Sequence, residues 1–189
     1  MQTKVTLLTT AAVAALMIAT APAEAAGTWY VSVTGGANWI DDVSFLDNPA
    51  GSTLFGITTE ADTGYVIAGS VGYNLGSVMN GLRAEVELSY RSNKADGTWT
   101  ENLVATPTTG TLDYDHQTFA VLANVWLDVP LGSGFTPYVG GGLGWADTSA
   151  EGTYICVTGC ATVYSIDFSE DGFAWQAGAS DSHTRAFEA

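Results

Sequence analysis

Apolar and polar residues alternate strictly along Gly81 to Lys94, G-L-R-A-E-V-E-L-S-Y-R-S-N-K. Leu82, Ala84, Val86, Leu88 and Tyr90 are apolar or aromatic, and Arg83, Glu85, Glu87, Ser89 and Arg91 between them are polar. Successive side chains of a strand point to opposite faces, so a period of two predicts a strand with one apolar and one charged face. The same pattern recurs in Gly27 to Trp39, where Trp29, Val31, Val33, Ala37 and Trp39 oppose Tyr30, Ser32, Thr34 and Asn38. It returns in Gly64 to Leu75, with Tyr65, Ile67, Val71 and Tyr73 opposite Ser70 and Asn74. Gln117 to Val129 sets Phe119, Val121, Ala123, Val125, Leu127 and Val129 against Thr118, Asn124, Trp126 and Asp128. In Thr136 to Ala146, Val139, Leu143 and Trp145 oppose Tyr138, Gly140, Gly142 and Gly144, glycines that make room on a crowded face. Phe173 to Ala179 begins a sixth strand with Phe173, Trp175, Ala177 and Ala179 on its apolar side.

The connections between these strands run long, short, long, short, long. Asp41 to Thr63 is acidic, is broken by Pro49, Gly51 and Gly56, and is expected to be a loop with a strand extension at Ser52 to Thr59. Gly76 to Asn80 is a short turn, and Ser92 to Asp115 is a second long acidic loop carrying Trp99 and Pro107. Pro130 to Gly134 is short again. Asp147 to Asp171 holds T-Y-I-C-V-T-G-C-A-T-V-Y, expected as a small hairpin tipped by Cys156 and Cys160. Long loops at one end and short turns at the other belong to an up-and-down barrel that crosses a membrane, with its apolar faces outward. A soluble lipocalin-like barrel or sandwich buries the apolar face instead and does not require the alternation.

Composition narrows the choice. Only 13% of the residues are charged, yet the chain has 22 glycines, six tryptophans and eight tyrosines, a mixture that suits a barrel with aromatic girdles. The net charge of −15 disfavours nucleic-acid binding. Excluding Glu24, fourteen of nineteen acidic residues fall in the three long connections, so the charge belongs to the loops. At the N-terminus, Met1 to Lys4 carries one positive charge, Val5 to Ala21 carries none, and Ala23-Glu24-Ala25 is an A-x-A cleavage pattern. Residues 1–25 are therefore expected to be a secretory signal peptide. Later in the chain no apolar run is long enough for a membrane helix. The expected organisation is a signal peptide over 1–25, a barrel domain over 26–179 and an irregular tail over 180–189.

Four stretches, G-T-W-Y-V-S-V-T-G-G-A-N-W, G-L-R-A-E-V-E-L-S-Y-R, A-N-V-W-L-D-V-P-L and P-Y-V-G-G-G-L-G-W-A, resemble the small outer-membrane β-barrel family of alphaproteobacteria, relatives of the OmpA transmembrane domain. The likeness covers about Gly27 to Gly178. It implies an all-β fold, an up-and-down antiparallel transmembrane β-barrel of the eight-strand type, of which about six strands are recognisable. The tail S-D-S-H-T-R-A-F-E-A lacks both alternation and the closing strand with a terminal aromatic that the family pattern has, so the barrel looks incomplete at its C-terminus. The resemblance further implies insertion by the barrel-assembly machinery, contact with outer-membrane lipid and lipopolysaccharide, and a role in surface interaction.

An eight-stranded barrel has an interior just wide enough for side chains. Arg83, Glu85, Glu87 and Arg91, with Asn74, Asn124 and Asp128, are expected to fill it as a polar network in which Glu85 and Glu87 pair with the two arginines. Trp29, Val31, Val33, Trp39, Leu82, Val86, Leu88 and Tyr90 are expected to face lipid. Cys156 and Cys160 are expected to form a disulfide after export, with a metal or redox pair as the weaker alternative. His116 and Ser182-His183 lie off the apolar strand faces, so no catalytic Ser/His pair is expected, and neither a cofactor nor a resident metal. The acidic connections suggest either Ca²⁺ or Mg²⁺ bridging to lipopolysaccharide or a solvated variable surface. The function expected is that of a structural outer-membrane barrel with a plugged lumen and acidic loops. A narrow porin for small solutes and a secreted lipocalin-like binder of apolar ligands are the alternatives.

Overall fold

Alternation on six segments becomes six neighbouring strands, to which one strand before them and two between the first and second are added. The computed structural model describes residues 12–19, 27–47, 53–103, 107–131, 135–158 and 163–183. They form β1 (Ala12–Ala19), β2 (Trp29–Trp39), β3 (Val43–Asp47), β4 (Thr53–Ala61), β5 (Gly64–Asn74), β6 (Leu82–Leu103), β7 (Pro107–Asp128), β8 (Phe135–Thr158) and β9 (Val163–His183). All belong to one antiparallel sheet in the order β1-β2-β5-β6-β7-β8-β9, with the β3–β4 hairpin joined through β4 to the far half of β6. The six predicted strands are β2 and β5 to β9, and the fold is all-β and up-and-down. Among the described residues β1 pairs only with β2 and β9 only with β8, so the sheet is open between them.

The three long connections differ from the loops expected. Ser92–Asp115 is mostly paired strand, from Ser92↔Gln117 through Lys94↔Asp115 and Trp99↔Gly110 to Asn102↔Pro107. Asp147–Asp171 likewise continues β8 against β9 as far as Ile155↔Val163. Asp41–Thr63 contains the β3–β4 hairpin, and the extension expected at Ser52–Thr59 is β4. Once their lower halves fix the register of β6 and β7, extending the ladder needs no new loop closure, and β-branched Thr98, Thr100, Thr109 and Thr111 suit a pleated sheet.

Two ends also differ. Ala12–Ala19, inside the segment read as a signal peptide, lies antiparallel along the edge of β2 from Ala12↔Trp39 to Ala19↔Ser32. An uncharged apolar run is compatible with an open strand edge whose backbone groups need partners. β9 runs on to His183, into the segment expected to be irregular; residues 184–189, the cleavage pattern at Ala23-Glu24-Ala25 and Cys160 lie outside the described residues. The turn into β6 depends on Gly81, whose φ of +80° suits glycine and whose Cβ would sit 2.2 Å from the Asp128 carbonyl oxygen.

A ring of aromatics crosses the outward faces at one level, with one residue from each of the six long strands: Trp39, Tyr65, Tyr90, Phe119, Trp145 and Phe173. Tyr90 pairs directly with Phe119 and Trp145 with Phe173, and the remaining steps between strands are offset by two residues, as in a tilted sheet. Below this ring the outer face is apolar and exposed; Trp29 is 72% accessible and Val86 54%. Trp29–Trp39 is an 11-residue strand, which at roughly 3.3 Å per residue and a tilt near 40° rises about 25 Å, the height of an outer-membrane apolar band.

Candidate functional site

Below the ring the inner face is polar and is organised on Glu85. Its Oε2 accepts hydrogen bonds from Tyr30 Oη at 2.9 Å and Ser70 Oγ at 3.2 Å, and its Oε1 from Trp126 Nε1 at 2.7 Å and Asn124 Nδ2 at 3.2 Å. Four neutral donors from β2, β5 and β7 thus surround one carboxylate. Glu87 accepts from Asn124 at 3.0 Å and from Gln176 of β9 at 3.1 Å, and Gln176 also donates to Asn124 Oδ1 at 2.8 Å. The network ties together strands that are far apart in sequence.

The arginines are disposed differently from the pairing expected. Arg83 grips Asp128 of β7 with Nε at 2.7 Å and Nη2 at 2.8 Å, and donates to Tyr30 Oη at 3.2 Å. Among the described residues neither Glu85 nor Glu87 forms a salt bridge. The planar guanidinium fork fits the bidentate Asp128 carboxylate across the strand pair, while Glu85 is already saturated by neutral donors. Arg91 lies within the electrostatic reach of Glu87, and its buried Nε has no hydrogen-bond partner among the described residues. Asn74 is buried, but its Oδ1 accepts the Gly76 backbone N–H at 2.8 Å and so also serves the turn after β5.

Five of the seven expected network residues, Arg83, Glu85, Glu87, Asn124 and Asp128, are brought together through these bonds, with Arg91 at the margin. Tyr30, Ser70, Trp126 and Gln176 complete the network and were not singled out, although each stands on the inward phase of its strand. Tyr138 adds a ring 5.2 Å from the Arg83 guanidinium carbon and packs edge-on to Trp126 at 5.5 Å. Inward glycines leave space for these side chains. A Cβ at Gly142 would lie 1.8 Å from Asn124 Oδ1, and one at Gly72 2.2 Å from the Tyr30 ring. Of the residues expected to face lipid, Trp29, Val31, Val33, Trp39, Val86 and Leu88 lie on the exposed outer face, with Leu82 and Tyr90 half-buried there.

At the ring the arrangement reverses. Asn38 and Asn93, both almost fully buried, hold the crossover: Asn38 Nδ2 donates to Asn93 Oδ1, and Asn93 Nδ2 donates to the carbonyls of Asn38 at 3.1 Å and Asp62 at 3.0 Å. Above it the inner face becomes apolar, with Ala95, Trp99 and Leu112 buried. Trp99 stacks on Tyr154 at 4.3 Å, and Tyr154 meets Tyr164 edge-on at 6.0 Å. Burial first, then the charge of Glu101 and the neighbouring Tyr164, pushes the Tyr154 hydroxyl up to about 12. His116, expected at a loop end, is on β7 opposite Asn93 and Ala150, and burial lowers its pKa.

The outer face above the ring is acidic, and its carboxylates stand directly opposite one another across the strands. Glu60 pairs with Asp96 and Asp96 with Asp113; Asp115 pairs with Glu151 and Glu151 with Asp167; Asp147 pairs with Asp171. Lys94 reaches Asp115 at 4.0 Å with both side chains well exposed, and Trp145 Nε1 donates to Asp171 at 2.9 Å. The described residues hold no group of three or more His, Cys, Asp or Glu side chains able to ligate a metal. Cys156 is buried on β8; its proposed partner lies outside the described residues.

A meander of long antiparallel strands with an apolar band outside and a hydrogen-bonded polar face inside is the arrangement of a membrane-crossing β-barrel protein. The chain belongs to the outer membrane protein beta-barrel domain family, which it matches over residues 9–181. No curated protein matches it. Membership makes it an outer-membrane barrel protein.

Proposed function

We propose that the protein is a structural component of the outer membrane, with a plugged interior and an acidic wall above the membrane, serving envelope integrity or surface interaction. The saturation of Glu85 by four neutral donors supports this reading most strongly, since it leaves that carboxylate little capacity to serve a passing ion. Residues 1–25 act as the export signal, which the charge and cleavage patterns favour. Its removal exposes the edge of β2 for pairing during insertion by the barrel-assembly machinery. Outer-membrane lipid contacts the band from Trp29 to Trp39, and lipopolysaccharide meets the aromatic ring. Oxidation after export joins Cys156 to Cys160. The protein uses no cofactor and catalyses no reaction.

Conductance across a planar bilayer tests this function. The refolded chain should give no steady single-channel current, and Glu85→Ala with Glu87→Ala should open a measurable leak. Steady conductance by the unaltered chain would favour the narrow porin. An exported chain that stays soluble without detergent would favour the lipocalin-like binder, against which the exposed apolar band argues.

A further inference from the structure

Beneath the aromatic ring the outer face of β7, β8 and β9 is hollowed. A groove of about 500 Å³ runs there between Val125, Leu143 and Trp175, with Ala123 and Gly141 at its floor. The backbone keeps this floor open: a Cβ at Gly141 would lie 2.5 Å from the Gln176 carbonyl oxygen, and the residue opposite Gly141 is the small Ala177. The head of the groove is acidic. Asp147, two residues above Trp145, stands directly opposite Phe119 on one side and Asp171 on the other, so two carboxylates share one face at the rim of the apolar band. Trp145 Nε1 donates to Asp171 at 2.9 Å, and Phe173 lies opposite Trp145. Among the described residues neither carboxylate forms a salt bridge. Like charges directly opposite one another in a sheet repel, and more strongly beside a medium of low dielectric constant. A cation between them relieves that repulsion, and the rings of Phe119, Trp145 and Phe173 attract the same cation through their π-faces.

We infer that this groove holds one lipid with a primary ammonium in its headgroup, its acyl chain along Val125, Leu143 and Trp175 and its ammonium between Asp147 and Asp171. The site deepens the proposed function and rests on its reading that the aromatic ring marks the membrane surface. Gly141 and Asp147 are six positions apart on β8. At roughly 3.3 Å per residue and a tilt near 40° they differ in height by about 15 Å, half of a hydrocarbon core about 30 Å thick. A single lipid therefore spans the site from mid-bilayer to headgroup. A primary ammonium brings three N–H donors to the carboxylate oxygens; a trimethylammonium has none, and an anionic headgroup is repelled. A second copy of this chain is disfavoured as the occupant, because Asp147, Glu151, Asp167 and Asp171 would meet their counterparts.

Competition among lipids with identical chains tests the site. The full chain, refolded in non-ionic detergent, is mixed with equal amounts of dioleoyl phosphatidylethanolamine, phosphatidylcholine and phosphatidylglycerol, and the lipids it retains are counted by native mass spectrometry. One phosphatidylethanolamine per chain is expected in preference to the other two. The double variant Asp147→Asn, Asp171→Asn should retain it about tenfold less and lose the preference. Ala123→Phe, which fills the groove from the lipid side and leaves both carboxylates in place, should also release it. Val31→Phe, on the outer face of β2 and away from the groove, should change nothing. Equal retention of the three lipids, a preference that survives loss of both carboxylates, Ala123→Phe behaving as Val31→Phe, or a dimer in place of the lipid adduct would each overturn the inference. Heat-modifiable migration on a detergent gel follows the barrel separately: with the shift present and no lipid preferred, the lipid site fails and the proposed function stands.

Discussion

The lower and upper halves of β6 and β7 are made from the same two strands and obey opposite rules. Below the aromatic ring Val86 and Leu88 are exposed while Asn124 is buried; above it Asp96 and Asp113 are exposed while Trp99 and Leu112 are buried. The backbone ladder passes through the change without a break, from Leu82↔Leu127 to Asn102↔Pro107. The surroundings of each half therefore dictate the side chains, and the backbone is indifferent to them. Lipid demands an apolar exterior, and water demands a polar one.

Placing one cation in each half tests this contrast most severely. Val86→Arg should cost about 2–4 kcal/mol of insertion free energy at mid-bilayer depth, whereas Thr98→Arg, above the ring, should cost close to nothing. Folding yield into vesicles, read from the heat-sensitive band on a detergent gel, measures both. Equal yields would mean that the outer face has been misassigned.

A second comparison predicts effects of opposite sign. Glu85→Gln removes the charge that gathers the Tyr30, Ser70, Trp126 and Asn124 donors and should destabilise by roughly 1–3 kcal/mol. Glu151→Gln relieves repulsion from Asp115 and Asp167 and should stabilise by about 0.2–1 kcal/mol, an effect that fades as salt is added. Urea titrations of the vesicle-inserted protein at low and high ionic strength separate the two. The glycines supply a third pair: Gly142→Val, which drives into Asn124, should destabilise by about 1–3 kcal/mol, while Gly172→Val, with nothing within 4 Å of its Cβ, should be tolerated.

The smallest effect is a matter of pH. Tyr154 ionises near pH 12 in the fold, above the ordinary tyrosine value of 10.0. Its neutral form is the one the fold favours, so its contribution is complete below pH 10 and is lost as pH rises through about 12. The phenolate absorbance should show this late step against the other tyrosines, and Tyr154→Phe should remove it. A Tyr154 that titrates near 10 would mean that its hydroxyl is not buried near Glu101 and Tyr164.

The lower halves of the strands were legible because their alternation keeps one phase over five or six repeats. The upper halves were not, because the phase changes within the strand: apolar residues fall on even positions of β6 up to Tyr90 and on odd positions at Ala95 and Trp99. A period-two count across the whole strand cancels, and the acids that then dominate resemble a loop. The same reversal, from Phe119 and Val121 to Leu112 and Tyr114, lies hidden in β7. Within the polar face, charge was readable and geometry was not. That Arg83 would turn to Asp128 depends on which strand lies beside it, and that Trp126 would donate to Glu85 depends on the register. The strand made by Ala12–Ala19 had no signal distinguishing it from a leader, since an uncharged apolar run serves either.

Because each long strand from β6 onward lies beside its predecessor in the chain, most of the sheet can form by hairpins whose ends are already close. Among the described residues only two pairings skip strands, β2 with β5 and β4 with β6. Ring closure over n residues costs about (3/2)RT ln n, so the excursion through β3 and β4 sets the one sizeable entropic penalty between Trp39 and Gly64. Folding of this sheet therefore separates into a fast zipper through β5 to β9 and a slower docking of β2, and shortening the excursion should quicken the second event while leaving the first untouched.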